Sequence, residues 1–137
     1  MMAEPLTSEE DPDIARALAL LGPLEGRMMR AVWTREVAES FVVRDVATLM
    51  PQLAYTTVMT TLRRLADKGL LTARAEPGRR AHEYRAAGTA ADYLVRASNN
   101  EAAQFVARYG DAALSAFAAR LADLTPEQRR RLEDMAR

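Results

Sequence analysis

The sequence predicts a mainly α-helical chain with one small β-hairpin, and three observations predict it. Apolar residues recur at helical spacing through residues 24–71 and again through residues 89–135. The period drops to two only in residues 71–75 and 82–86, and Pro or Gly stands at the ends of most segments. Three helices, a hairpin and a helical C-terminal third is the order of a winged helix-turn-helix with appended helices. The expected division is an acidic, partly disordered tail over residues 1–20, a winged-helix domain over 21–87 and a helical dimerisation domain over 88–137.

The elements follow in order. Residues 1–22 hold five acids and one arginine, and the first dozen residues are expected to be disordered. The run Ile14-Ala15-Arg16-Ala17-Leu18-Ala19-Leu20 suits a short helix whose docking place the sequence does not give. Pro23 opens a helical pattern with Leu24, Met28, Ala31 and Val32 on one side. A shorter one places Val43, Val46, Ala47 and Met50 inward before Pro51 ends it. In the next, Val58, Leu62 and Leu65 fall at i, i+4 and i+7, and Gly69 is the expected stop. Its opposite side carries Thr56, Met59, Thr60 and Arg63, with Thr57 and Arg64 flanking. The alternating runs after it are joined by Glu76-Pro77-Gly78-Arg79-Arg80, a turn at Pro77-Gly78 with two arginines at its tip.

That third helix is built to enter a DNA groove. Short hydroxyls near a helix start approach base edges and phosphates, and guanidinium groups a turn later reach the backbone. Thr56, Thr57 and Thr60 are the expected base-reading residues, with Tyr55, Arg63 and Arg64 holding the helix to phosphates and Arg79 and Arg80 acting from the wing. Tyr55 reads equally as a packing residue at the helix start. Met59 reads either as a contact to thymine methyls or as a partly buried residue. Charge supports the assignment modestly: residues 23–86 hold eleven Lys/Arg and seven Asp/Glu, a balance of +4, which the tail's −4 offsets to give a neutral chain.

The C-terminal third consists of alanine-rich helical patterns. Thr89-Ala90-Ala91-Asp92 is a capping-box-like start, followed by Tyr93, Leu94, Ala97, Phe105, Val106 and Tyr109 on one broad side. Ser98-Asn99-Asn100-Glu101 can serve as a second cap, so one long helix and two shorter ones both fit. Gly110 ends this stretch and Asp111 is placed to cap the next, where Leu114, Phe117, Ala118 and Leu121 make an amphipathic stripe. Thr125-Pro126-Glu127-Gln128 opens a last helix through Leu132 and Met135. Roughly fifty such residues bury little core alone. Pairing with a second copy through Leu94, Phe105, Tyr109, Leu114, Phe117, Leu121 and Leu132 answers that shortage; folding back onto the chain's own DNA-binding domain is the alternative. A two-fold dimer places its recognition helices about 34 Å apart and favours a palindromic site.

Several of these residues carry a resemblance. Leu21-Gly22-Pro23-Leu24-Glu25, Met29, Val32-Trp33, Val43-Arg44-Asp45-Val46, Ala54-Tyr55-Thr56-Thr57-Val58-Met59-Thr60, Leu62, Arg64-Leu65 and Lys68-Gly69-Leu70-Leu71 resemble the penicillinase-repressor (BlaI/MecI/CopY) family over roughly residues 21–86. The resemblance implies a homodimeric bacterial repressor that covers a palindromic operator and is released by a membrane sensor protease or a metal. Two departures bear on release. Family members relieved by proteolysis carry an asparagine-phenylalanine cleavage bond, whose nearest counterpart here is Ala116-Phe117, and Phe117 fits its amphipathic stripe as a core residue. The copper-responsive branch uses paired cysteines, and this sequence has none. Val42 also stands where relatives often place a helix-capping threonine. The inducing signal, the operator and the regulated genes are left blank.

Other classes fit poorly. No run of eighteen apolar residues offers a membrane span, and the acidic start is unlike a signal peptide. Absence of cysteine fits the cytoplasm, and one histidine, His82, does not build a metal site unaided. No glycine-rich phosphate loop, no nucleophile beside a base and no cofactor motif is present, so neither an enzyme nor a cofactor is expected. The rival reading is a winged-helix protein-docking module. It would call for an exposed apolar patch where this sequence places threonines and arginines.

Overall fold

The computed structural model describes residues 11–75, 78 and 82–137. Its elements are α1 (Pro12–Ala19), α2 (Pro23–Trp33), α3 (Val43–Leu49), α4 (Tyr55–Asp67), β1 (Leu71–Ala75), β2 (His82–Ala86), α5 (Ala90–Tyr109), α6 (Asp111–Ala122) and α7 (Pro126–Met135). The mainly helical fold with a single hairpin is therefore as expected. The chain forms two compact units, residues 1–96 and 97–137, with the division inside α5.

In the first unit α2, α3, α4 and the hairpin close around one core. Met28, Met29, Phe41, Val46, Val58 and Leu62 are among its fully buried side chains. Burying each large apolar side chain of this kind contributes about 1.5–3 kcal/mol. The stripe Val58, Leu62 and Leu65 faces inward, and Thr61 is buried beside it, its hydroxyl donating to the Thr57 carbonyl (2.8 Å). The inward arc of α2 is wider than its stripe foretold, because Met29 and Glu25 are buried as well. Glu25 accepts from Lys68 Nζ at 2.8 Å. The acid sits in the first turn of α2 and the lysine caps the C-terminal end of α4, so each charge also complements its helix dipole.

The ends of two helices use the same turn. At the end of α4, Gly69 (φ 83°) donates to Ala66 O and Leu70 to Leu65 O, a Schellman motif with glycine at its left-handed position. At the end of α2, Arg35 (φ 64°) donates to Val32 O and Glu36 to Ala31 O, the same motif with arginine at that position. Among the described residues Arg35 is the one non-glycine with positive φ.

The hairpin pairs Leu71 with Ala86 through Ala75 with His82, antiparallel, over the runs that alternation marked. A further pairing was not foreseen. Phe41 and Tyr84 exchange both backbone hydrogen bonds (2.9 and 2.7 Å), giving the hairpin a one-residue third strand, and their rings stack at 6.0 Å. Burial raises the Tyr84 phenol above its ordinary pKa, with Arg63 opposing and Asp67 reinforcing the shift, so the group stays neutral.

Two expectations near the helix ends need correction. Asp11 and Pro12, counted in the disordered dozen, are ordered: the Asp11 carboxylate accepts from Asp13 N–H (2.8 Å) and caps α1, which Pro12 opens, while residues 1–10 lie outside the described residues. Of the two readings open at Ser98-Asn99-Asn100-Glu101, the single long helix holds: α5 runs unbroken for 20 residues and those polar side chains lie on its exposed surface. Gly110 is the N-cap of α6 and Asp111 its first helical residue. The start of α3 keeps half of a capping box, with Val42 N–H donating to Asp45 Oδ2 (2.9 Å), but valine has no oxygen to complete it.

Helix α1 docks through Ile14 and Ala17, which form a second cluster with Ala90. Trp33 and Tyr93 pack on it, and Trp33 Nε1–H donates to Gly88 O (3.1 Å). Thr89 and Asp92 make the expected capping box for α5 (2.9 and 3.1 Å). Arg96 then donates to Gly69 O (2.7 Å) while its guanidinium lies 5.9 Å from the Tyr93 ring centre.

In the second unit Thr125 and Gln128 cap α7 reciprocally, as their spacing indicated (3.0 and 3.1 Å). Its burial is slight. Ala113 is the one buried residue of residues 97–137.

Candidate nucleic-acid interface

Helices α3 and α4 with the turn between them make the helix-turn-helix. Met50 caps α3, and Leu53 N–H donates back to Met50 O (3.0 Å), turning the chain sharply after Pro51. Core contacts of Val46 and Met50 on one side and Val58, Leu62 and Leu65 on the other fix the pair. What α4 leaves outside is polar. Thr56, Thr60, Arg63 and Arg64 are exposed, Thr57 is half-buried, and Tyr55 is 54% exposed at the first helical position. That exposure argues against Tyr55 as a packing residue. Met59 takes the partly buried option and leans on the core cluster.

The start of α4 is suited to an anion. Its N-cap is Ala54, which has no side-chain oxygen to occupy the first-turn amides. Thr57 N–H already donates to Ala54 O (3.0 Å), but the N–H groups of Tyr55 and Thr56, beside the hydroxyls of Thr56 and Thr57, favour a phosphate. A turn further on, Arg63 and Arg64 project with no ion pair among the described residues. The arrangement matches a recognition helix whose first turn approaches the duplex and whose arginines reach along its backbone.

Two exposed cations that sequence reading passed over are further candidates. Arg44 lies exposed in the first turn of α3, the helix that crosses the DNA backbone in this motif, and Arg74 lies exposed on β1. Both were readable: the inward set of α3 leaves Arg44 outward, and strand alternation from buried Leu71 turns Arg74 away from the core. Arg79 and Arg80, expected at the wing tip, lie outside the described residues. Gly78 of that turn has φ 80°, which glycine adopts without strain.

The residues expected to pair two copies divide between the units. Leu94 is half-buried against the cluster of Ile14, Ala17 and Ala90 in the first unit. Phe105, Tyr109, Leu114, Phe117, Leu121 and Leu132 are all exposed, from 37% for Phe105 to 55% for Leu114. Phe105 touches Tyr109 and Phe117, with ring centres 5.0 and 5.5 Å apart. Ala116, the position before Phe117, is half-buried.

No three His, Asp or Glu side chains converge in a metal-binding group among the described residues, and none of their helices is long and apolar enough to cross a membrane. No curated protein and no solved structure matches the chain. A family model does, that of the penicillinase repressor, over residues 21–137.

Proposed function

The chain belongs to the penicillinase repressor family, whose members are DNA-binding transcriptional repressors and not enzymes, and on that basis we propose that it acts as a homodimer on a palindromic operator. The exposed polar face of α4, set on a buried reverse face of Val58, Thr61, Leu62 and Leu65, is the observation that carries the reading. Thr56, Thr57 and Thr60 read or approach base edges. Tyr55, Arg63 and Arg64 hold phosphates, joined by Arg44 on α3 and by Arg74, Arg79 and Arg80 on the wing. The winged-helix domain comprises residues 21–87 and the dimerisation domain residues 88–137. In this reading the protein works in the cytoplasm, where its operator DNA lies.

Pairing rests on the exposed apolar set of the second unit. Six large side chains left more than a third open to water, with one alanine buried among them, need a cover of similar chemistry. A second copy supplies it through an isologous contact. Leu94 serves the first unit's core in this arrangement. Release comes from an inducing partner, a sensor protease among them. The Ala116-Phe117 bond lacks the asparagine of protease-relieved relatives, so cleavage there requires a protease of different preference.

The test is capture of sheared genomic DNA on the purified protein, followed by sequencing of what is retained. A palindromic motif upstream of a few genes is the expected result. Retention without sequence preference would overturn the operator reading and favour a protein-docking role for the same fold.

A further inference from the structure

The first unit holds a cleft of about 380 Å³, walled by α1, the end of α2, the loop after it, β2 and the first turn of α5. That is the size of a small-molecule pocket, roughly 300–1,000 Å³. Its apolar lining is Ile14, Val32, Trp33, Val37 and Ala90. Three carboxylates (Asp11, Glu39, Asp92) and two arginines (Arg35, Arg85) also line it, and most are engaged. Asp11 accepts from Asp13 N–H, Asp92 accepts from Thr89 N–H, and Glu39 faces Arg85 at 4.0 Å. Arg35 is different. Among the described residues its guanidinium has no hydrogen-bond or ion-pair partner.

Its backbone singles it out a second time. Arg35 holds the left-handed position of a Schellman turn that this same chain fills with Gly69 at the end of α4. A side chain there strains the backbone and glycine does not. An exposed arginine in a strained position, without a protein partner among the described residues, in the wall of a cleft of mixed polar and apolar lining, points to the arginine's own chemistry.

We propose that the cleft binds a small organic acid with a flat apolar body, its carboxylate held by Arg35 and its body lying against Trp33, Ile14 and Val37. A guanidinium takes a carboxylate through two parallel hydrogen bonds, and Trp33 is the largest apolar group of the lining. The bound acid touches both the wing strand, at Arg85 and Ala86, and the first turn of α5. It is thus placed to act as a small-molecule effector, in addition to any inducing partner.

Trp33 is the one tryptophan of the chain and reports occupancy directly. The full chain, without DNA, is titrated with phenylacetate and 3-phenylpropionate, each beside its neutral amide, while Trp33 fluorescence is followed. Saturable change with at least one acid, at a Kd of roughly 1 mM or below, is expected. Binding of that amide should be weaker by roughly tenfold or more, as should binding of the acid to Arg35→Gly, for loss of a charged hydrogen-bond partner. Arg35→Gly removes the strained side chain and should melt no lower than the wild type, which separates lost binding from lost fold. No saturation with either acid would overturn the proposal, as would equal binding of acid and amide, or unchanged binding by the variant. Since no DNA is present, failure here is distinct from failure of the operator reading.

Discussion

Arg35 and Gly69 occupy equivalent places in two helix ends, and the same substitution logic runs in opposite directions at them. Arg35→Gly should raise stability by about 1 kcal/mol, since a left-handed side chain costs roughly 1–2 kcal/mol. Gly69→Ala should lower it by about as much, 1–2 kcal/mol, and its new methyl would meet Arg96 Nη1 at 2.7 Å, loosening the cap that Arg96 places on Gly69 O. Urea denaturation of both variants checks the pair. Asp92 gives a pH signature. Hydrogen bonds from the Thr89 backbone, and then from its side chain, hold the Asp92 carboxyl below its ordinary pKa; burial opposes them, and the Arg96 charge adds the least to them. A lowered folded pKa means stability that is full above the unfolded value and lost as pH falls through the folded one. Asp92→Asn should therefore be less stable than wild type at neutral pH, with the two converging below the ordinary aspartate range, read by urea denaturation across a pH series. The glycine stop and the Thr89 capping box were legible because their chemistry is local. Arg35 was not, since nothing in an arginine announces a left-handed backbone.

At the scale of elements, α4 was the most legible part of the chain. Val58, Leu62 and Leu65 mark its buried stripe, and the exposed threonines and arginines follow from the same 3.6-residue period. DNA-binding variants should separate by role. Arg63→Ala should weaken binding to all sequences and reduce the salt slope by about one ion. Thr60→Ala should instead change preference at particular base pairs by about 1–3 kcal/mol if its contact is direct. Fluorescence anisotropy on operator and random duplexes, at several salt concentrations, distinguishes them; equal losses on both duplexes would remove Thr60 from the base-reading set. The hairpin was legible from alternation, whereas its third strand was not, because a single pair at Phe41 and Tyr84 has no period to detect. The polar run at Ser98 read as a possible break. Without Gly or Pro beside it, it is ordinary helix surface, and the longer packing pattern of α5 prevails.

For the whole molecule, the uneven charge was readable by counting, and the exposed apolar set was readable as a stripe without a partner. Where α1 would dock was not readable, because its cluster joins residues as distant in sequence as Ile14 and Ala90. Pairing can be tested where the single chain tolerates change. Leu114 is 55% exposed, so Leu114→Glu should leave the first unit folded. The variant should sediment at one chain's mass, and its operator affinity should fall on the order of 10²-fold through loss of linked half-site binding. A variant that sediments as the wild type would place the contact elsewhere.

Residues 97–137 bury one alanine and no large side chain of their own. If a second copy supplies the missing interior, folding of this unit is a second-order reaction. Its melting temperature then rises with protein concentration, while that of residues 1–96 stays fixed. Well below the dissociation constant, paired molecules increase with the square of the amount synthesised, and operator occupancy follows. Halving production would then cut the paired form to about a quarter, by mass action. A scarcely buried C-terminal unit would thus make repression a sharp measure of the protein's own abundance.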